Sequence, residues 1–330
     1  MITFTSTGPP DLSIDQGVVD LVCDHRRVTL IVVAANADFV VQVSDRRLTA
    51  SGRPITDQET KAIYLQTPAF QGVIGYTGLA KIGAESTSAV LMRLLETRAL
   101  PLAVKDRNAI TGEVMLGLTE LMQSPLGRKY TRSQRRLTVT FTGYYWYPEG
   151  WFGPTQTRIT NFQEADADAV EASDEFTQWD EGPIPGAPRD QLTLIQVIGQ
   201  WQEVSQQDVD ALRLLLAPGK PPEAVRQKLV EVIVGIASRN SGVGAEQNSV
   251  WFTPGQPPRW SHHTATAGSV MSLGDMVGQD IDGNVLVVPG IEMRRADGGP
   301  IVVPKSHRSA PCPCKSGKNY GQCHGRFRKA

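Results

Sequence analysis

Apolar residues in this chain repeat in blocks, some with a period of two and others with a period near 3.6, and the two kinds of block do not alternate one for one. Residues 29–35 (TLIVVAA) form a continuous apolar run of strand length. Residues 39–44 (FVVQVS) follow after Asn36-Ala37-Asp38, a triplet with hairpin chemistry. Two more strands are expected at 61–65 and 70–75. A helix is expected over 79–98, where Leu79, Ile82, Val90, Leu91, Leu94 and Leu95 keep helical spacing and Pro101 stops the run. A second helix spans 107–123, with Ile110, Val114, Leu118 and Leu121 on one face. Strands return at 137–141, 157–162 and 192–201. Helices follow at 205–217, opened by Ser205 with Asp208, and at 221–239, opened by Pro221-Pro222; a strand at 249–253 closes the series. The order is therefore ββββ–αα–βββ–αα–β. Blocks of this kind predict an α+β fold in packed layers with antiparallel sheets, and two sheets between two helix pairs would cover every apolar face.

The remaining segments are less patterned. Residues 1–28 read as a loose leader, residues 163–190 as an exposed acidic loop, and residues 254–305 as an irregular extension with short strands such as 285–289 and 301–304. A formal net charge of −1 gives no global reason to expect a nucleic-acid or membrane partner, and no run of about 18 apolar residues is present. Three of the four cysteines crowd into the last twenty residues. With no export signal in the leader, that clustering predicts metal binding in a reducing, cytoplasmic setting rather than disulfides.

Residues 29–78 resemble the opening of a proteasome β-type subunit. The family has a threonine at the start of its first strand, a Ser/Ala-Asp-x-Arg turn after the second, a lysine opening the third and a glycine ending the fourth. These positions fall without a gap on Thr29, Asp45 with Arg47, Lys61 and Gly75. The resemblance covers about 29–253 and implies the four-layer αββα fold of N-terminal-nucleophile (Ntn) hydrolases. It further implies a threonine hydrolase acting on a peptide or small amide. In such chemistry the Thr29 hydroxyl attacks while that residue's own free α-amine takes the proton. Lys61 lowers the pKa of both groups, Asp45 holds Lys61, and the Gly75 N–H faces the oxyanion.

Two positions depart from that pattern. Thr29 is preceded by Val28 where self-cleaving relatives usually carry glycine, and while the Val28–Thr29 bond is an amide no free amine exists there. In SRNSG (238–242), Ser241-Gly242 matches the family's supporting Ser-Gly pair, but Ser238 stands in place of its aspartate. Valine is also the translation of GTG, a bacterial start codon. A chain initiated at position 28 and trimmed of its methionine would begin at Thr29.

The C-terminus reads APCPCKSGKNYGQCHGR (310–326). Cys312, Cys314, Cys323 and His324 supply three thiolates and an imidazole, a complete tetrahedral set for structural zinc in a small module over 306–330. The segment is similar to the SEC-C motif. Lys305, Arg308, Lys315, Lys318, Arg326, Arg328 and Lys329 make the tail basic, suited to an acidic protein surface or a phosphate backbone. Three functions stay open on these residues: an amide hydrolase, an inactive scaffold acting as an adaptor through its zinc module, and a subunit of a homo-oligomeric ring. The aromatic run 144–151 (YYWYPEGW) reads as packing or an oligomer contact, and His262-His263 as a weak second metal candidate.

Overall fold

A computed structural model of the chain describes residues 29–50, 53–56, 59–102, 106–147, 150–162, 171–182, 188–189, 192–263, 270–290 and 292–294. The first block holds β1 (Leu30–Ala35), β2 (Val40–Asp45), the β3–β4 hairpin (Leu48–Ala50, Arg53–Thr56), β5 (Ala62–Gln66) and β6 (Phe70–Gly78). A small hairpin, β7–β8 (Lys81–Ile82, Glu85–Ser86), leads to α1 (Thr87–Leu94), which continues through a π-turn to α2 (Leu100–Leu102) and then α3 (Arg107–Gln123). The second block holds β9 (Leu137–Trp146), β10 (Phe152–Thr160), β11 (Thr177–Glu181), β12 (Leu194–Gly199), α4 (Gln206–Leu215) and α5 (Pro222–Ala237). Last come β13 (Gln247–Phe252), β14 (Arg259–His263), β15 (Val270–Ser272), β16 (Asp275–Gln279), β17 (Val285–Val288) and β18 (Glu292–Arg294).

Two sheets carry the architecture. One is antiparallel in the order β12-β1-β2-β13-β14. The other runs β11-β10-β9-β6-β5-β16-β17, with β16 parallel to β5. Leu30, Val32 and Ala34 of β1 pack with Leu212, Val225, Leu229 and Ile233 of α4 and α5. Ile31, Val33 and Ala35 point the other way, to Val73, Tyr144 and Phe252 between the sheets. Burial on both faces is why β1 is a continuous apolar run instead of an alternating one. The far face of the second sheet is covered by α1, the π-turn after it and α3 through Leu91, Leu95, Val114 and Leu118. The layers are thus helices, sheet, sheet, helices.

Local chemistry explains several joints. Asn36 closes the β1–β2 hairpin, its Oδ1 accepting from Asp38 N (2.8 Å) and Phe39 N (2.9 Å). Ser205 caps α4, accepting from Asp208 N at 3.1 Å, and Pro221 precedes α5 as expected.

The structure corrects four expectations. The helix placed at 79–98 starts only at Thr87, capped by Ser86, because the β7–β8 hairpin occupies its first residues. Pro101 sits inside the last helical turn instead of ending the helix before it. The acidic loop contains a strand, β11, paired along β10 from Thr160↔Thr177 to Gln156↔Glu181. The stretch after residue 253 adds β14 to one sheet and β16–β17 to the other, so these residues extend the sandwich. Tyr144, fully buried, donates to Asn36 O at 3.0 Å, which makes this part of the aromatic run packing. Among the described residues no helix is long and apolar enough to cross a membrane.

Candidate functional site

Three chain segments meet at one end of the space between the sheets. Thr29 immediately precedes β1 and extends its pairing, its carbonyl accepting from Gln200 N at 3.3 Å. Asp45 is the last residue of β2, and the hairpin register carries it back beside Leu30. Lys61 immediately precedes β5 on the opposite sheet. The site therefore straddles both sheets, and the β1–β2 hairpin fixes two of its three members.

Lys61 Nζ donates to Thr29 Oγ1 at 2.5 Å, to Asp45 Oδ1 at 3.2 Å and to the Arg47 carbonyl at 2.5 Å. Thr29 is 9% exposed, Lys61 1% and Asp45 0%. An ammonium so deeply buried is tolerated only because several oxygens replace its water, one of them charged. Asp45 is held in turn by backbone donors: Leu30 N to Oδ1 (3.0 Å), and Gly244 N (2.9 Å) and Arg47 N (3.3 Å) to Oδ2. Chemically, this places a cationic donor on a hydroxyl oxygen, which favours the oxygen's anionic form and leaves the hydroxyl's own proton free to be removed.

Around this group the loop 238–246 supplies a frame. Arg47 reaches across to the carbonyls of Ser241 (2.9 Å) and Val243 (3.3 Å), so Ser241 contributes through its backbone while the residue itself is exposed. Ser238 donates back to the Gly235 carbonyl at 2.7 Å and finishes α5.

Gly75 lies within β6, which continues to Gly78, not at the strand end expected from the sequence. Trp146 N donates to Ala69 O and Leu79 N to Arg136 O at the two ends of the β6–β9 ladder. The alternation of bonds between them turns the Gly75 N–H toward Thr140, its register partner. That N–H is committed to the sheet rather than to an oxyanion. What requires glycine is close approach: a Cβ there would lie 3.1 Å from Gln42 Oε1 and 3.3 Å from Ile31 Cδ1 and Thr140 Oγ1.

A polar network absent from the sequence reading borders the site. His262 Nδ1 lies 2.9 Å from Asn248 Oδ1 and Nε2 lies 3.1 Å from Glu246 Oε2, with Arg46 Nη1 3.4 Å from each ring nitrogen. Burial, then the Arg46 cation, lowers the His262 pKa, opposed by Glu246. Glu59 is raised by burial against the lowering pull of Tyr76 and Lys61. Tyr76, whose hydroxyl donates to Glu59 Oε1 at 3.1 Å, is raised well above its ordinary value by burial and by Glu59. His262 thus faces protein partners on both nitrogens, and among the described residues no group of three or more His, Cys, Asp or Glu could hold a metal. The only sequence signal for the network was the His-His pair.

Cys312, Cys314, Cys323 and His324 lie outside the described residues, as do the leader, Val28, and the strand expected at 301–304. The donor set itself, three thiolates and one imidazole, fits zinc.

Residues 308–326 match the SEC-C motif family. Among solved structures, the chain is similar to Anbu (ancestral beta-subunit) from Yersinia bercovieri, at 16% identity and a TM-score of 0.43, over 68% of this chain and 81% of that one. It is similar also to an Anbu (Gly-1) mutant from Hyphomicrobium sp. strain MC1, at 12% identity and a TM-score of 0.43, over 72% and 87%. No curated protein matches the chain.

Proposed function

We propose that residues 29–253 act as a threonine-nucleophile hydrolase on the amide bond of a peptide or small amide, and that the C-terminal motif holds one structural zinc ion. The observation that carries the first part is the Lys61 Nζ to Thr29 Oγ1 hydrogen bond, with the ammonium anchored on buried Asp45. In a chain that begins at Thr29, the residue's α-amine, which titrates near pH 8 in model peptides, is the base. It takes the hydroxyl proton as Oγ1 bonds to the substrate carbonyl carbon, then returns a proton to the leaving nitrogen as the C–N bond breaks. The resulting ester is cleaved by water, with the same amine as base, restoring the hydroxyl and releasing the acid. Lys61 stabilises the charge developing on Oγ1 throughout.

Cys312, Cys314, Cys323 and His324 would hold the zinc and leave no position open for substrate, so the metal would organise the tail and supply nothing to these steps. The basic residues flanking the ligands suit an acidic protein surface, with a phosphate backbone as the competing partner.

The test is chemical. A threonine-directed β-lactone is applied to protein prepared with Thr29 as its first residue. We expect one adduct by intact mass, absent in Thr29→Ala and strongly slowed in Lys61→Met. Ser238 argues for the other reading, because its hydroxyl serves the α5 carbonyl of Gly235 and presents no carboxylate to the amine. Failure of the Thr29-initiated protein to form any adduct or to cleave any amide assigns the working role to the zinc module as an adaptor.

A further inference from the structure

His262 joins the two flanks of the Thr29 site. On one side Arg46, which follows Asp45, donates its backbone N–H to the Glu246 carbonyl at 2.9 Å while Nη1 approaches the His262 ring. On the other, Asn248 donates from Nδ2 to Thr60 Oγ1 at 3.2 Å, and Thr60 precedes Lys61. Arg46 closes the circuit, its Nε donating to Glu59 O at 3.3 Å and its carbonyl accepting from Glu59 N at 3.2 Å. The charged or titratable groups facing the ring are Arg46 on the turn after β2, Glu246 before β13, and His263 beside it on β14. The side chains of His262 and Glu246 are 3% and 7% exposed.

We propose that His262 is a positioning residue for Lys61, with its protonation state setting the orientation of the Asn248 amide and, through Thr60, the placement of the lysine. This rests on the reading of Lys61 and Thr29 as the reacting pair. As imidazolium, His262 donates from Nδ1 to Asn248 Oδ1 and from Nε2 to Glu246, leaving Asn248 Nδ2 to donate to Thr60 Oγ1. Neutral imidazole carries one N–H, which stays on Nε2 toward the carboxylate. The Nδ1 lone pair then opposes Asn248 Oδ1 at 2.9 Å. Rotation of the amide relieves that contact: Nδ2 now donates to Nδ1, and Oδ1 accepts from the Thr60 hydroxyl. Thr60 changes from acceptor to donor one residue before Lys61, so the two states present different backbone and hydroxyl geometry to the ammonium. Neither ring nitrogen needs a metal or a substrate for this.

Two measurements test it on protein that begins at Thr29 and runs to the C-terminus. With four histidines in residues 29–330, ¹⁵N-imidazole spectra of assigned His262 and the Asn248 side-chain amide are followed from pH 5 to pH 8. The rate of β-lactone adduct formation is measured over the same range in wild type, His262→Gln and Thr60→Val. We expect the Asn248 amide to shift with the His262 midpoint. We also expect the wild-type rate to change on the order of tenfold there, the factor equal to one unit of pKa coupling. Both variants should lose that inflection, while in Thr60→Val His262 still titrates. An Asn248 signal indifferent to His262, or an inflection retained in His262→Gln, overturns the proposal. Should no adduct form at any pH, the hydrolase reading falls and the spectra alone decide the positioning. Should His262→Gln fail to fold, Thr60→Val decides the rate arm.

Discussion

Replacing Lys61 with methionine keeps the length of the stem and removes the ammonium from a site where it is 1% exposed. Asp45 would then keep its charge among the N–H groups of Leu30, Arg47 and Gly244, with its closest cation gone. Breaking a buried pair from one side typically costs about 3–5 kcal/mol, against a total stability of about 5–15 kcal/mol. Asp45→Asn should cost a similar amount from the other side. It strands the ammonium, and whichever way the amide is turned, its NH₂ meets a backbone N–H that had a carboxylate oxygen. If the two charges exist chiefly for each other, the losses cannot add. The double variant, neutral at both positions, should lose about 3 kcal/mol rather than the summed ~6–10, with one or two forfeited backbone bonds contributing about 1 kcal/mol each. Urea unfolding, followed through the six tryptophans, reads these as shifts in midpoint at constant slope. A Lys61→Met loss below about 1 kcal/mol, or a double-variant loss equal to the sum of the singles, would refute the account of the site as a coupled buried pair.

Gly75→Ala should destabilise by about 1–3 kcal/mol in the same assay, because the new methyl meets Gln42, Ile31 and Thr140 at 3.1–3.3 Å in the inter-sheet layer. The folded pKa of His262 lies below its ordinary value, so the unfolded chain binds more protons between the two. The stability linked to this group is therefore full above about pH 6.5 and lost as pH falls toward the folded value, and His262→Gln should flatten that part of the Tm-versus-pH curve relative to wild type. Metal analysis of protein purified without chelator should find about one zinc per chain, lost in Cys323→Ala, with the main urea transition of the sandwich unmoved.

The sandwich was legible where both faces of a strand are covered. β1 declares itself by six consecutive apolar residues, and the β1–β2 hairpin by Asn36, whose side chain the structure shows making the turn. Thr29, Asp45 and Lys61 were legible because the hairpin length and the β5 start are local properties, and local spacing fixes where those residues fall. The elements that escaped depend on partners far along the chain. β11 (TQWDE) has an exposed acidic sequence and is a strand only because β10 offers a free edge. β16 (DMVGQ) joins β5 in parallel from more than two hundred residues away, which no local period can announce. The hairpin at Lys81–Ser86 hid inside a helical pattern because buried Ile82 and partly buried Leu79 meet the core through tertiary packing while having the spacing of a helix face. The His262 network was invisible for a similar reason. It assembles Arg46, Asn248, Glu246 and His262 from three separate segments, and only the register of β2, β13 and β14 brings them together.

The proposed hydrolase and a scaffold make different demands on this site. A protein needing only the β1–β2–β5 framework would gain by filling the end of the sandwich with apolar side chains, since a buried Asp–Lys pair commonly contributes less than a packed hydrophobic isostere of the same volume. Here the pair lies beside a hydroxyl, and the lysine donates to that oxygen as well as to the carboxylate. Among the described residues the threonine is placed by its pairing beside β1 and by Lys61, both of which involve residues after it in the chain. Activity should therefore switch with a single bond, the one between residues 28 and 29, while the fold stays constant. Matched samples with and without the first 28 residues should give the same circular dichroism spectrum and urea midpoint, and only the shorter one should form the β-lactone adduct; equal labelling of both would mean that a group other than the α-amine is the base.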